Sequence, residues 1–193
     1  MCGRYQFTEE QSAEILRIIQ EVSRRYGDDS WTPGEIRPTN AAPVLVSEEQ
    51  HIVPALYDWG FPMPGRPVIN ARSETAEEKP MFRESVVSRR CVIPSTGFFE
   101  WDGDKRKYLF TLPGEDALYM AGIYTIRDGR PCFCILTTAA NESMREVHDR
   151  MPLVLEKERV KPWLEDAGAA RELLHQTPPQ LVRAAADAQM RLW

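Results

Sequence analysis

Apolar residues recur at helical spacing near the start of the chain and at strand spacing over most of the chain after residue 41. Ile15, Ile18, Ile19, Val22 and Tyr26 share one helical face, and Gly27 is placed to stop it. A helix is predicted there, opened by Thr8 with Gln11 three residues on, a capping-box pattern. Residues 3–7 read as a short strand before it, and residues 28–40 as loop. Segments 43–46 and 51–57 are apolar or alternating and read as strands, while 59–67 is rich in Gly and Pro and is predicted as an exposed loop. Residues 68–72 form a short strand, and 76–89 are helical in part, interrupted near Pro80. Strands are predicted at 91–94, 98–101, 108–112, 118–125 and 132–138. Their turns fall at Asp102-Gly103-Asp104, Pro113-Gly114 and Asp128-Gly129. Segment 141–147 reads as a short helix, 152–155 as a strand, and 158–164 and 169–174 as helices; after Pro179 no period is legible.

Many short strands joined by hairpins, with few helices, predict an α+β fold. It is a single compact domain over residues 1–193, built around a curled, mainly antiparallel, barrel-like β-sheet with a few peripheral helices. Curled sheets bring loop residues from distant parts of a chain to one mouth. Composition adds limits. The chain has no internal repeat, and no apolar run approaches the ~20 residues of a membrane span. Its first residues lack the apolar stretch of a signal peptide, so a cytoplasmic protein without membrane contact is expected. The net charge of −5 argues against a broad nucleic-acid footprint, though not against a small basic cleft. Monomer is the default expectation.

The four cysteines, at 2, 91, 132 and 134, are expected as free thiols. Cys132 and Cys134 lie two apart in a strand with no second cluster, which reads as apolar packing and not as a metal site. No phosphate loop or dinucleotide fingerprint is present, and no cofactor is expected. Cys2 differs. Removal of Met1, favoured by a small second residue, would leave a free α-amine on the carbon next to the one that carries the thiol. With ordinary values near ~8 for the amine and ~8.5 for the thiol, both would be partly deprotonated at neutrality. The amine can condense with an aldehyde and the thiol can close on the imine carbon, giving a thiazolidine. Taken alone, a cysteine here is more often an ordinary small residue.

Three further segments carry candidate chemistry. Glu100 sits among aromatics in a strand-like run. Facing inward it would be desolvated and suited to proton transfer; facing water it would be an ordinary edge-strand carboxylate. His148 lies between Val147 and Asp149-Arg150, whereas His51 and His175 lack such company. Asn70 and Arg72 precede Ser73-Glu74-Thr75. They offer a two-way amide and a guanidinium fork, or simply strand-to-turn punctuation.

The order of these segments is more specific than any one of them. Met1-Cys2-Gly3-Arg4-Tyr5 is followed by Pro38-Thr39-Asn40-Ala41-Ala42-Pro43, Trp59-Gly60 and Asn70-Ala71-Arg72-Ser73-Glu74-Thr75. Then come Gly97-Phe98-Phe99-Glu100-Trp101, Ala121-Gly122-Ile123-Tyr124, Thr137-Thr138-Ala139-Ala140-Asn141 and His148-Asp149-Arg150-Met151-Pro152. Over residues 1–155 this series resembles the SOS response-associated peptidase (SRAP) family, the abasic-site processing proteins. The loop 61–67 lacks a second tryptophan that many members carry, and residues 179–193 diverge.

The resemblance implies a compact α+β domain that shields abasic sites in single-stranded DNA, often at a junction with duplex, through a covalent crosslink. It implies Cys2 as the nucleophile, Asn70 as the group that positions the amine and sugar, and Glu100 as the proton shuttle. His148 would assist opening of the deoxyribose. Arg72 and Arg150 would hold phosphates, helped by Arg4, and Trp59 with the loop after it would stack on or wedge against bases. It also implies an autopeptidase step that removes Met1. A sugar without a base offers nothing to base-edge readout, so a few arginines in a cleft suffice. Two other readings fit the residue types: a thiol hydrolase acting on peptides or amides through Cys2, and a non-catalytic single-stranded DNA-binding module.

Overall fold

The computed structural model describes residues 2–8 and 12–186. In chain order the strands are β1 (Arg4–Phe7), β2 (Gly34–Ile36), β3 (Ala41–Glu48), β4 (His51–Trp59), β5 (Asn70–Arg72), β6 (Arg90–Ser95) and β7 (Gly97–Trp101). They continue as β8 (Lys107–Thr111), β9 (Leu118–Arg127), β10 (Arg130–Ala139), β11 (Arg150–Pro152), β12 (Val154–Leu155) and β13 (Val182–Ala185). The helices are α1 (Ala13–Tyr26), α2 (Arg83–Ser88), α3 (Val160–Glu165) and α4 (Ala167–Leu174). This is the expected α+β domain. No described helix is long and apolar enough to cross a membrane.

Five of the described strands close a barrel. β3 pairs with β4 and β6, β9 pairs with β6 and β10, all antiparallel, and β10 returns to β4. An odd number of strands cannot alternate direction all the way round, so one junction must run parallel. That junction is β4–β10, and it is brief: Cys132 faces Asp58 and Phe133 faces Trp59. There the chain leaves the barrel wall, loops out through residues 60–69, and returns as β5 to resume parallel pairing, Asn70 opposite Ile135 and Arg72 opposite Thr137. Barrel closure thus creates the break at which Asn70 and Arg72 are presented. A second sheet, β13-β8-β7-β1-β2, carries the N-terminal segment and Glu100.

Glycine permits two close approaches in this frame. At Gly122 on β9, a Cβ would stand 2.3 Å from Ile93 Cδ1 and 3.1 Å from Cys91 Sγ. Gly60 has φ +126°, and its Cβ would fall 2.6 Å from Pro67 Cβ, so only glycine lets the 60–69 excursion fold back. One guanidinium joins two helix ends: Arg90 donates to the carbonyls of Val86 and Val87 near the end of α2, and to those of Trp163 and Leu164 in α3.

Several expectations need correction. Helix α1 is capped by Ser12, whose Oγ accepts from the Ile15 amide at 3.1 Å. Thr8 instead lies against Thr96, and Gln11 falls outside the described residues. A serine directly before the apolar face outcompetes the more distant threonine. Residues 141–147 form turns, because Asn141 turns its side chain back to take the Ser143 amide and hydroxyl. The supposed loop 28–40 contains β2. The segment 59–67 is exposed only from Pro62 to Arg66, since Trp59, Gly60 and Phe61 are buried and Phe61 bridges to Val68. The tail carries a strand: β13 pairs with β8, and Asn141 Nδ2 donates to the carbonyls of Pro178 and Pro179 just before it.

Candidate functional site

Cys2 lies just before β1 and is fully buried. Strand β1 is held between β2 and β7, with Tyr5 opposite Phe98 and Arg4 opposite Phe99. Side chains alternate along β7, so Phe98 and Glu100 point inward while Phe99 and Trp101 point out. Glu100 is only 4 % exposed, which resolves the choice left open by the sequence in favour of the inward carboxylate.

The Cys2 thiol donates a long hydrogen bond, 3.6 Å, to the Arg4 carbonyl. Burial pushes the thiol well above its ordinary value, and the nearby Glu100 carboxylate pushes it the same way. The expectation of a partly ionised thiol concerned Cys2 freed of Met1; with Met1 in place, this environment holds the thiol protonated at neutrality. The inward Glu100 carboxyl is thus part of the thiol's immediate electrostatic surroundings.

Asn70 approaches from the barrel. Its Nδ2 donates to the Cys2 carbonyl at 2.9 Å, while its Oδ1 is buried and meets no hydrogen-bond partner among the described residues. The Tyr5 hydroxyl is likewise buried without a described partner. A cleft of about 360 Å³ leads to Asn70 between Met63, Arg66 and Ile69.

The C-terminal end of β10 gathers the remaining candidates. Near Thr137, β10 has β5 on one edge and β11 on the other, with Thr137 opposite both Arg72 and Pro152. His148 stands at the entry to β11. Its Nδ1 accepts from the Arg150 amide at 2.9 Å and lies 2.8 Å from Asp149 Oδ1, two neighbours that make opposite demands on one nitrogen. Arg72 is exposed and its guanidinium makes no hydrogen bond or ion pair with a described residue, so its fork is free.

Two DNA-binding candidates are engaged within the protein. Trp59 is fully buried: its indole donates to the Ile69 carbonyl at 3.0 Å and packs between Tyr5 and Phe133. A ring enclosed on its faces cannot stack on a base. Arg150 is committed to the protein. It grips both carboxylate oxygens of Glu74, at 2.6 and 2.9 Å, and its Nη2 also donates to the Thr137 carbonyl at 2.6 Å, so most of its fork is spent within the protein. Arg4 is shared: it reaches Glu35 at 3.1 Å, and its guanidinium sits 5.4 Å from the Trp101 ring.

Sequence reasoning quoted Trp101 but gave it no role. It lies partly exposed on the outer face of β7, with Arg4 over it, and Lys107 3.8 Å from the neighbouring Phe99 ring. The two-residue period around Glu100 was the signal that could have found it. Cys132 and Cys134 are buried free thiols, and the described residues hold no group of three or more His, Cys, Asp or Glu suited to a metal.

A buried cysteine at the chain's start, tied by an amide to a barrel break and faced by an inward glutamate, defines a class of single-domain α+β proteins with an N-terminal thiol site. The profile of the SOS response associated peptidase (SRAP) family matches residues 1–191, and the chain belongs to that family. It is 33 % identical over 192 residues to the abasic site processing protein YoqW of Bacillus subtilis, covering 85 % of this chain and 80 % of the relative. It is 30 % identical over 190 residues to the abasic site processing protein YedK of Escherichia coli, covering 89 % and 83 %. A crystal structure of a Bacteroides thetaiotaomicron protein shares the fold, with a TM-score of 0.76 over 98 % of this chain and 95 % of that one, at 23 % identity.

Proposed function

We propose that the protein processes abasic sites in single-stranded DNA by covalent capture. With Met1 removed, the Cys2 α-amine attacks the aldehyde of the ring-opened deoxyribose, and loss of water gives an imine. Cys2 Sγ then adds to the imine carbon, its proton passing to the nitrogen, and the thiazolidine closes. Glu100 carries that proton and, in reverse, supports release. His148 assists ring opening, Arg72 takes a flanking phosphate, and Trp101 with Arg4 offers the stacking surface that Trp59 does not. The chain acts as a monomer and recognises the sugar, the phosphates and the absence of a base.

The observation that carries this reading is the Asn70 amide. Its donor is spent on the Cys2 carbonyl and its buried acceptor is left without a partner among the described residues. A buried acceptor without a partner costs about 1–3 kcal/mol. The free α-amine of a processed Cys2 is a donor in the same residue as that carbonyl. The names of the relatives point the same way.

The test is a denaturing gel. Mature protein incubated with a single strand bearing one abasic site should give a heat-stable shifted band that disappears in Cys2→Ala. Absence of any band overturns the proposal. A shift seen only on native gels would favour the binding module, and turnover of a peptide or amide would favour the hydrolase.

A further inference from the structure

We propose that a second cleft, on the far side of the 60–69 excursion from Asn70, holds one nucleotide of a DNA strand. Its phosphate would lie on Arg127 and Arg130, and its base against Met63 and Pro67. The inference rests on the reading of the molecule as a DNA-binding protein, but uses none of the residues assigned to the covalent chemistry.

The cleft has a volume of about 420 Å³ and opens between the loop after Trp59 and the tip of the β9–β10 hairpin. That hairpin turns through Asp128 and Gly129, with φ of +52° and +76°, and its closing pair is Arg127 opposite Arg130. Like charges directly across a strand pair repel. Neither arginine makes an ion pair or side-chain hydrogen bond with a described residue, although Asp58 and Asp128 border the same cleft. Several other described guanidiniums are matched to carboxylates or carbonyls, Arg25, Arg90 and Arg150 among them. Two unmatched forks side by side are a site for an anion with several oxygens, and phosphate has that geometry.

The opposite wall is apolar. Met63 is 45 % exposed at the top of a loop stiffened by Pro62, Pro64 and Pro67. A flat base against methionine and proline is a sequence-tolerant contact. At the rim, Thr39 has φ +73°, a conformation that a β-branched residue rarely adopts. It is pinned there because its amide donates to the Trp59 carbonyl at 2.8 Å, while the Trp59 amide donates to Asn40 O at 2.9 Å. Such strain is concentrated where a surface is shaped for a ligand. Met63 and Pro67 also line the cleft that leads to Asn70, so the loop is a ridge with a candidate strand path on each side.

The test compares Arg127→Gln/Arg130→Gln with the parent, using a labelled undamaged single strand, a trinucleotide with a central abasic site, and thymidine 5′-monophosphate. Both substitutions lie on an exposed hairpin tip, and equal melting temperatures would confirm that the variant folds. The variant should bind the undamaged strand about tenfold more weakly at low salt, with the log–log salt slope reduced by about two. It should crosslink the trinucleotide at the parent's rate. Met63→Ala should weaken strand binding without changing the slope. Equal affinity and slope in parent and arginine variant would overturn the proposal. So would displacement of the strand by equimolar thymidine monophosphate, which would mark a free-nucleotide site. Loss of trinucleotide crosslinking in the parent itself would instead strike the covalent reading, and leave the comparison on undamaged DNA to stand alone.

Discussion

Asn70 and Cys2, 68 residues apart in the chain, are joined by a 2.9 Å hydrogen bond from a side-chain amide to a main-chain carbonyl. The bond ties the N-terminal segment to the point where barrel closure interrupts the wall. Asn70→Ala should leave the fold intact and slow crosslinking by about tenfold, the effect of one lost positioning hydrogen bond. Rates followed on denaturing gels check this, and a variant with the parent's rate removes Asn70 from the mechanism.

Glu100 acts on the Cys2 thiol through its charge. A negative neighbour raises a thiol's pKa, so Glu100→Gln should lower it while burial still holds it above the ordinary value. The pH dependence of Cys2 alkylation should therefore shift to lower pH in the variant. Crosslinking should nonetheless slow, because the amide cannot accept a proton. An alkylation profile that stays put or moves upward would contradict the electrostatic link.

The Glu74–Arg150 pair is expected to support stability and not DNA binding. Hydrogen bonds from Arg150 hold the Glu74 carboxyl below the usual carboxylate range. Its contribution is then fully present above the unfolded value, near ~4.3, and is lost as pH falls through the folded value. Glu74→Gln should cost about 0.5–1 kcal/mol at neutral pH, since solvent screens a pair whose carboxylate is more than a third exposed. That difference from the parent should shrink in acid, as urea denaturation at several pH values would show. A pH-independent difference would mean the ion pair contributes nothing.

Trp59→Ala should destabilise the protein by about 3–5 kcal/mol through the cavity it leaves. Trp59→Phe should keep the parent's DNA affinity. A large loss of affinity at unchanged stability would return Trp59 to a base-stacking role.

Arg72→Ala should weaken DNA binding and flatten its salt dependence by about one unit of slope. Salt titrations by fluorescence anisotropy measure this directly. Equal slopes would place the phosphate elsewhere.

Local pattern determined much of this protein. The period of α1 and the hairpin turns at Asp102 and Asp128 come from spacing and turn chemistry among near neighbours, whereas which face of β7 turns inward was left to the packing around Glu100. The order of motifs also determined the family. Other features depend on contacts between residues far apart in sequence, which no local pattern carries. The parallel β4–β10 junction exists because five strands close a ring. Trp59 is enclosed only because Tyr5 and Phe133 arrive from other strands, and Arg150 is occupied because Glu74 lies across β10 from it. Sequence indicated an indole and a guanidinium suited to DNA; tertiary packing encloses the indole and engages the guanidinium with Glu74 and Thr137.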